Sequence, residues 1–404
     1  MKTIEMISKD ECCGCKLCES ICPKNAIGFG EGELGVVYPK IDEEKCIDCG
    51  ACVRLCPAKT KLSVDEHLKI YAAINCNKNY LLTSASGGVF SALAERVLNA
   101  SGVVYGAAML KDNEFILKVK HIRIDRKEDL HFLQKSKYVQ SDMSGIYENV
   151  KEDIRTGKLV LFSGTPCQIA AVKSACGTPT NLVLVEVICH GVPSQRMFTD
   201  YLYTLKNKNE KIEDFRFRTK ESGWGLCAEL TTRNQYGKLH NKRIPCNISS
   251  FYKMFLRCEI YRESCYQCKY AVKERVADLT IGDYWGIEKD PEVYNQVLSL
   301  GYKVTEGISC VIASTEKGKR ILKDSNLELI PSSFESISKE NGQLVHPSKR
   351  PESHGEIVRE YSKNGYAGLD KKFNRVLGIK KYVIILKNKI PPQLRFAVKK
   401  MLKK

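Results

Sequence analysis

The chain has 404 residues, 43% of them apolar, and a formal net charge of +17; its length suits two or three domains of roughly 150 residues. Most of the charge lies in one place: from Asp370 to Lys404 twelve Lys/Arg accompany one acid, so this tail supplies +11 and the other 369 residues only +6. A body so mildly charged excludes a broad nucleic-acid footprint.

In chain order, the first feature is Cys12-x-x-Cys15-x-x-Cys18-x-x-x-Cys22-Pro23, repeated 34 positions later as Cys46, Cys49, Cys52, Cys56 and Pro57. This spacing is that of a two-cluster bacterial ferredoxin, in which three thiolates of a run grip one cubane and the fourth, before proline, crosses to the other. Cys12, Cys15, Cys18 and Cys56 are therefore expected to hold one [4Fe-4S] cluster, and Cys46, Cys49, Cys52 and Cys22 the second. Zinc would close with four ligands in two pairs, and a disulfide framework suits a short secreted chain. Residues 1–20 lack the apolar core of a signal peptide, and the run Tyr382–Leu386 is far shorter than the ~20 residues of a spanning helix. The cysteine usage points to a reducing cytoplasm. Gly30-Glu-Gly32-Glu-Leu-Gly35 is a formal GxGxxG, but it lies between two cluster motifs and reads as an acidic, flexible connector.

After a linker around Ser63–Asn79, Thr83-Ser-Ala-Ser86-Gly87-Gly88 opens an amphipathic helix through Val89, Leu93 and Val97. Such a turn suits a phosphate, or Ser86 is only a cap. Strand-like runs follow at Val103–Met109 and Phe115–Ile124, then the basic loop Lys135-Ser-Lys137-Tyr138-Val-Gln140. Leu159–Phe162 reads as a buried strand leading through Ser163-Gly164-Thr165-Pro166-Cys167 into a short helix at Ile169–Ala175. Thr165 suits its N-cap and Pro166 its first position, which puts Cys167 in the first turn, where a thiolate is favoured. A second strand, Leu182–Ile188, ends in Cys189-His190-Gly191. Two cysteines thus emerge at the carboxyl ends of apolar strands, where open α/β sheets bind ligands. With Cys265 and Cys268 they make four thiols, enough for a third cubane; zinc, or a CxxC redox pair beside buried cysteines, stays open. Cys13, Cys76, Cys176, Cys227, Cys246, Cys258 and Cys310 read as small buried hydrophobes. Beyond Pro391-Pro392 the apolar residues Leu394, Ala397, Val398, Met401 and Leu402 share one face of a basic helix. That pattern fits an anionic membrane surface or a solvated helix.

Six motifs occur in the order of one family: Ser86-Gly87-Gly88, Ser136-Lys137-Tyr138-Val-Gln140-Ser141, Ser163-Gly-Thr-Pro-Cys167-Gln168, Cys189-His190-Gly191, Cys265-x-x-Cys268 and Gly282-Asp283-Tyr-Trp285-Gly286. From about residue 70 to 340 the chain resembles the beta subunits of coenzyme F-420 hydrogenase and dehydrogenase, a family that includes 7-hydroxymethyl chlorophyll a reductase. The resemblance implies a mixed α/β body binding FAD beside an iron–sulfur cluster. Ser86, Gly87 and Gly88 would meet the FAD pyrophosphate, and Lys137, Tyr138 and Gln140 would line the flavin, with Gly164 and Thr165 close by. Cys167, Cys189, Cys265 and Cys268 would ligate the flavin-side cluster. The expected organisation is a dicluster ferredoxin domain (1–64), the FAD-binding part of the body (65–158), its cluster-bearing part (159–345) and a basic tail (346–404).

The implied function is an oxidoreductase passing electrons between clusters and FAD, with an external ferredoxin or redox subunit as partner and an organic substrate or deazaflavin-type coenzyme as acceptor or donor. His190 is a candidate proton donor, or holds a structural hydrogen bond; Asp283 and Trp285 shape their turn. Two other readings are an electron-transfer subunit without substrate chemistry, and Cys167 acting as a nucleophile with His190 as base.

Overall fold

The computed structural model describes residues 3–60, 69–220 and 223–389. The N-terminal unit is built around an antiparallel hairpin, β1 (Ile27–Glu31) and β2 (Val37–Ile41), flanked by the two cysteine runs. Each run turns into a one-turn helix, Leu17–Ser20 and Ala51–Arg54, after a left-handed residue, Lys16 and Gly50 respectively. The acidic Gly30–Gly35 stretch is not a flexible connector but the hairpin's tight tip, closed by the Gly32 N–H on the Val36 carbonyl at 2.7 Å. Leu34 at that tip is 4% exposed and packs with Met197 and Phe198 of the body. The hydrophobe that the acidic sequence disguises is what docks this domain.

The body holds an eight-stranded mixed sheet in the order β13-β3-β12-β11-β7-β6-β4-β5. Its strands are β3 (Lys69–Asn75), β4 (Val103–Lys111), β5 (Leu117–Ile124), β6 (Val160–Gly164), β7 (Leu182–Val187), β11 (Leu279–Asp283), β12 (Ser309–Ala313) and β13 (Leu327–Pro331). The central four, β11-β7-β6-β4, run parallel, and antiparallel strands close both flanks. Every residue of β6 is buried, as its unbroken apolar run requires of a strand covered on both faces. β3 lies inside the stretch expected to be a linker. Its Ala72 and Ala73 are fully buried between β12 and β13, and side chains so small gave no periodic signal. The remaining strands, β8 (Glu210–Arg216), β9 (Cys227–Asn234) and β10 (Leu239–Pro245), form a separate antiparallel sheet. Beneath it lies an aromatic core that includes Phe198, Tyr201, Phe215, Phe217 and Phe251.

Part of the basic tail belongs to the body. Helix His354–Leu377 buries Tyr366 and Leu369 in the same aromatic core. The next helix, Lys380–Lys389, leaves that support: Val376 and Ile379 before it, and Tyr382 and Leu386 on it, are exposed. The helix expected after Pro391 lies outside the described residues, and no described helix is long and apolar enough to cross a membrane. Of the seven cysteines read as buried hydrophobes, Cys310 is buried, Cys76 is exposed and the others are half-buried.

Candidate functional site

The N-terminal thiols sort themselves by the spaces they surround. Cys12, Cys15, Cys18 and Cys56 line one small cavity, and Cys22, Cys46, Cys49 and Cys52 line another. The last cysteine of each run has crossed to its neighbour's site, as the spacing demands. Among the described residues, no three His, Cys, Asp or Glu side chains are placed to hold a single metal ion. Thiols standing around a gap suit a cubane better than zinc, which draws its ligands to one centre. Burial, with Cys12 and Cys56 close by, pushes the Cys18 thiol up to about 12, so iron binding must displace protons.

The parallel strands deliver the next group. β6 ends at Gly164, and the helix Pro166–Cys176 starts at once behind a Thr165 cap. The Thr165 N–H donates to Gln168 Oε1 at 3.0 Å, while the Thr165 hydroxyl lies 3.2 Å from Cys167 Sγ. β7 ends two residues before Cys189. Cys265 closes a short turn whose first carbonyl, on Arg262, accepts the Cys265 N–H at 2.9 Å. Cys167, Cys189, Cys265 and Cys268 all line one cavity of about 270 Å³.

Without a bound cluster, burial and mutual contact favour the thiol forms of this group. A hydrogen bond with the Cys13 thiol, and then burial, hold Cys167 well above the ordinary thiol range. Burial pushes Cys265 up to about 12 and Cys268 to about 11, and burial followed by the neighbouring thiols holds Cys189 well above the ordinary thiol range. Burial also pushes the His190 imidazole down. A thiol held up beside an imidazole held down is the reverse of an activated Cys–His pair.

A second, larger cavity of about 370 Å³ abuts the first. Ser86, Gly88, Lys137, Tyr138, Gln140, Gly164 and Thr165 line it. Gly87 stands behind them, its N–H donating to Ser309 Oγ at 3.0 Å, and a Cβ there would reach the Ala73 carbonyl and lie 2.6 Å from Ser309 N. Gly87 is therefore needed for close approach to β3 and β12. Ser86 Oγ is likewise engaged, donating to the Ile308 carbonyl at 2.9 Å. The Lys137 ammonium donates to the Phe132 and Gln134 carbonyls at 3.0 and 2.6 Å, and burial pulls it down to about 7. Asp283 anchors the far wall, accepting from Arg218 Nη1 at 2.6 Å and Trp224 Nε1 at 2.8 Å. Trp224 stacks on Trp285 at 4.8 Å, so Asp283 and Trp285 shape their turn as expected. Among the described residues, Arg218 Nη2 is buried with no hydrogen-bond partner.

Sequence reasoning missed four residues at this junction. Cys13 lines both larger cavities and the cavity of the first cysteine run. His121 accepts at Nδ1 from Ser141 (2.9 Å) and donates from Nε2 to the Ser163 carbonyl (2.9 Å), holding the end of β6. Burial lowers it to about 4, which keeps it neutral. Arg218 and Arg262 complete the set. One signal was available: position 47, which repeats position 13, is Ile.

Residues 157–330 match the family that describes the C terminus of the Coenzyme F420 hydrogenase/dehydrogenase beta subunit. Residues 11–60 match the 4Fe-4S dicluster domain. The chain thus carries a stretch similar to a dicluster ferredoxin domain, followed by one similar to the C-terminal region of such a beta subunit. That region runs from just before β6 into β13 and contains Cys167, Cys189, Cys265 and Cys268. A solved structure titled for the F420-reducing [NiFe] hydrogenase complex from Methanosarcina barkeri aligns at 17% identity, covering 79% of this chain and 95% of its own, with a TM-score of 0.41. No curated protein matches the sequence. The chain is an iron–sulfur electron-transfer protein related to that beta subunit.

Proposed function

We propose that this is an iron–sulfur flavoprotein oxidoreductase linking one-electron carriers to the two-electron reduction or oxidation of an organic substrate. The carrying observation is the wall common to the two larger cavities, which includes Cys13, Thr165, Cys167, Cys189 and His190. Cys12, Cys15, Cys18 and Cys56 would hold one cubane and Cys46, Cys49, Cys52 and Cys22 the next. Cys167, Cys189, Cys265 and Cys268 would hold a third, with FAD in the cavity across the shared wall. When bound, clusters supply single-electron carriage and a flavin exchanges one or two electrons. The organisation 1–64, 65–158, 159–345 and 346–404 is retained in this reading. The eight-stranded sheet takes strands from both middle segments, so these form one body.

The chain's residues fit that use. The larger cavity falls in the size range of cofactor sites. The unpartnered Arg218 Nη2 offers a donor to an anionic group, and Lys137 holds a proton close to neutrality. His190 lies on the shared wall as a neutral donor. The proposed partner is a ferredoxin-class donor or acceptor meeting the N-terminal domain, where Cys49 is exposed. The substrate is an organic molecule or a deazaflavin-type coenzyme. The exposed Tyr382, Val383 and Leu386, with Lys380 and Lys381 on the same helix, support peripheral contact with an anionic membrane face on the cytoplasmic side.

Anaerobic purification with cofactor extraction and iron counting tests the reading: one FAD and about 12 iron atoms per chain are expected, falling to about eight in Cys265→Ser. Absence of FAD after reconstitution, or unchanged iron in the variant, overturns it. The commitment of Ser86, Gly87 and Gln140 to protein partners favours one second reading, an electron-transfer subunit whose chemistry occurs on a partner. Reduction of an organic acceptor by the isolated chain distinguishes the two.

A further inference from the structure

We propose that Arg262 is a positioning residue that stabilises the reduced form of the cluster held by Cys12, Cys15, Cys18 and Cys56, while binding that cluster's loop to the body. The proposal rests on the dicluster domain and is independent of the flavin.

Arg262 is 1% exposed, the largest fully buried side chain in the protein's described part. Its Nε donates to the Cys12 carbonyl at 2.6 Å, and Nη2 reaches Cys12 Sγ at 3.4 Å and the Val37 carbonyl at 2.8 Å. Nη1 donates to Gln140 Oε1 at 3.1 Å, and Gln140 Nε2 in turn donates to the Cys13 carbonyl at 2.9 Å. The Tyr38 ring lies 4.6 Å beneath the guanidinium. Its oxygen partners, two backbone carbonyls and an amide, carry no formal charge. The adjacent Glu263 is engaged by Arg350 and by His354 Nε2, and among the described residues no carboxylate pairs with Arg262.

A buried cation with no counter-charge is strongly unfavourable. A cubane with four thiolates is anionic and becomes more so when it gains an electron, so the guanidinium that pairs with no carboxylate among the described residues would find its counter-charge in the bound cluster. Hydrogen bonds to cluster sulfurs and nearby positive charge favour the reduced state and raise the potential. Lys269 adds a second cation on the same side, its ammonium donating to the Ala58 carbonyl at 3.1 Å beside Cys56. At the other site the cation is exposed rather than buried: Arg54 Nη1 donates to the Cys49 carbonyl at 2.7 Å from the surface, and the Ala26 backbone N–H sits 3.3 Å from Cys22 Sγ. The fit is tight, since a Cβ on Gly14, which sits at φ +65°, would lie 2.5 Å from Arg262 Nη1. Arg262 also precedes Cys265 and Cys268 on one short segment, so one stretch of chain grips the first cluster's loop and supplies two thiols of the next site.

The step concerned is gain of one electron by this cluster from a low-potential one-electron donor, with no proton taken up. The test is an EPR-monitored potentiometric titration of anaerobic wild type, Arg262→Gln and Arg262→Lys, using dithionite as reductant and with iron counted in each. Expected in Arg262→Gln is full iron with a fall in the midpoint of one cluster signal, the signal that Cys56→Ser removes, and a smaller fall in Arg262→Lys. An unmoved midpoint, an equal shift of all signals, or loss of that cluster's iron in both variants overturns the proposal. A wild type without FAD would defeat the flavin reading and leave this result intact.

Discussion

The Arg275–Glu186 pair offers a quantitative test of how the cluster-bearing loop is held to the sheet. Glu186 lies in β7 with its side chain 0% exposed, and Arg275, 2% exposed, pairs with it. Thr280 Oγ1 donates to the same carboxylate oxygen, Oε1, at 2.7 Å, while Oε2 has no partner. Arg275 Nη1 donates to the Tyr270 and Val272 carbonyls at 3.0 and 2.8 Å, fixing the turn that follows Cys268. Arg275→Met would strand the carboxylate, and breaking a buried pair from one side costs about 3–5 kcal/mol. Burial already raises the Glu186 carboxyl, with Arg275 opposing; without the arginine it rises further. Between the unfolded value and that raised value the folded chain binds one more proton than the unfolded. Stability therefore falls as pH rises, by up to about 1.4 kcal/mol per unit, until the carboxyl is ionised in both states. The variant should be weakest at alkaline pH and recover on acidification, over a window extending to higher pH than in wild type. Urea-unfolding midpoints across pH 5.5–8.5, followed by Trp fluorescence, provide the assay; those pH limits span about the range where a raised carboxyl titrates. Replacing both partners by Leu and Met should restore most of the loss. An unshifted midpoint in the single variant, or a double variant no better than the single, would refute the reasoning.

Three other outcomes follow from the geometry. Because the fourth cysteines cross over, Cys56→Ser should disturb the same EPR signal as Cys12→Ser, and Cys22→Ser the same signal as Cys46→Ser; pairing within runs would contradict the fold. Gly87→Ala should destabilise the body by about 1–3 kcal/mol through overpacking against β3 and β12, measured as a lower unfolding midpoint with iron content retained. The full chain should sediment with vesicles containing anionic lipid and be released by about 0.5 M salt. Truncation after Gly378 should abolish that binding, and equal binding to neutral vesicles would exclude an electrostatic membrane role.

What the sequence revealed depended on how local the physics was. The cluster runs announced themselves because their ligands are fixed by chain spacing, and the Thr165-Pro166 helix start because capping is settled within four residues. The strands leading to Cys167 and Cys189 were equally visible, since burial on both faces leaves an apolar string. β3 was hidden because two of its four buried residues are alanines and one is Asn75, so no apolar alternation marks it as a strand. The roles of Ser86 and Gly87 as struts against β12 depend on partners 222 positions away, which no local pattern encodes.

Arg262 and Cys13 show the same limit at the point where it matters most. An arginine in a polar string, Tyr261-Arg-Glu-Ser-Cys265, gives every appearance of a solvated residue, yet its environment comes from position 12. Cys13 differs because the repeat supplies an internal control: the second run places Ile47 at the matching position, 58% exposed, whereas Cys13 meets Cys167 and faces three cavities. Duplicated runs diverge where their surroundings diverge. The first copy meets a body thiol and the buried Arg262 at Cys13 and Cys12, whereas the second, which touches the body only through its end at Leu55, Pro57 and Ala58, leaves Ile47 exposed. That asymmetry gives the ferredoxin domain an inner and an outer end, and the inner end is the one gripped by the segment carrying Cys265 and Cys268.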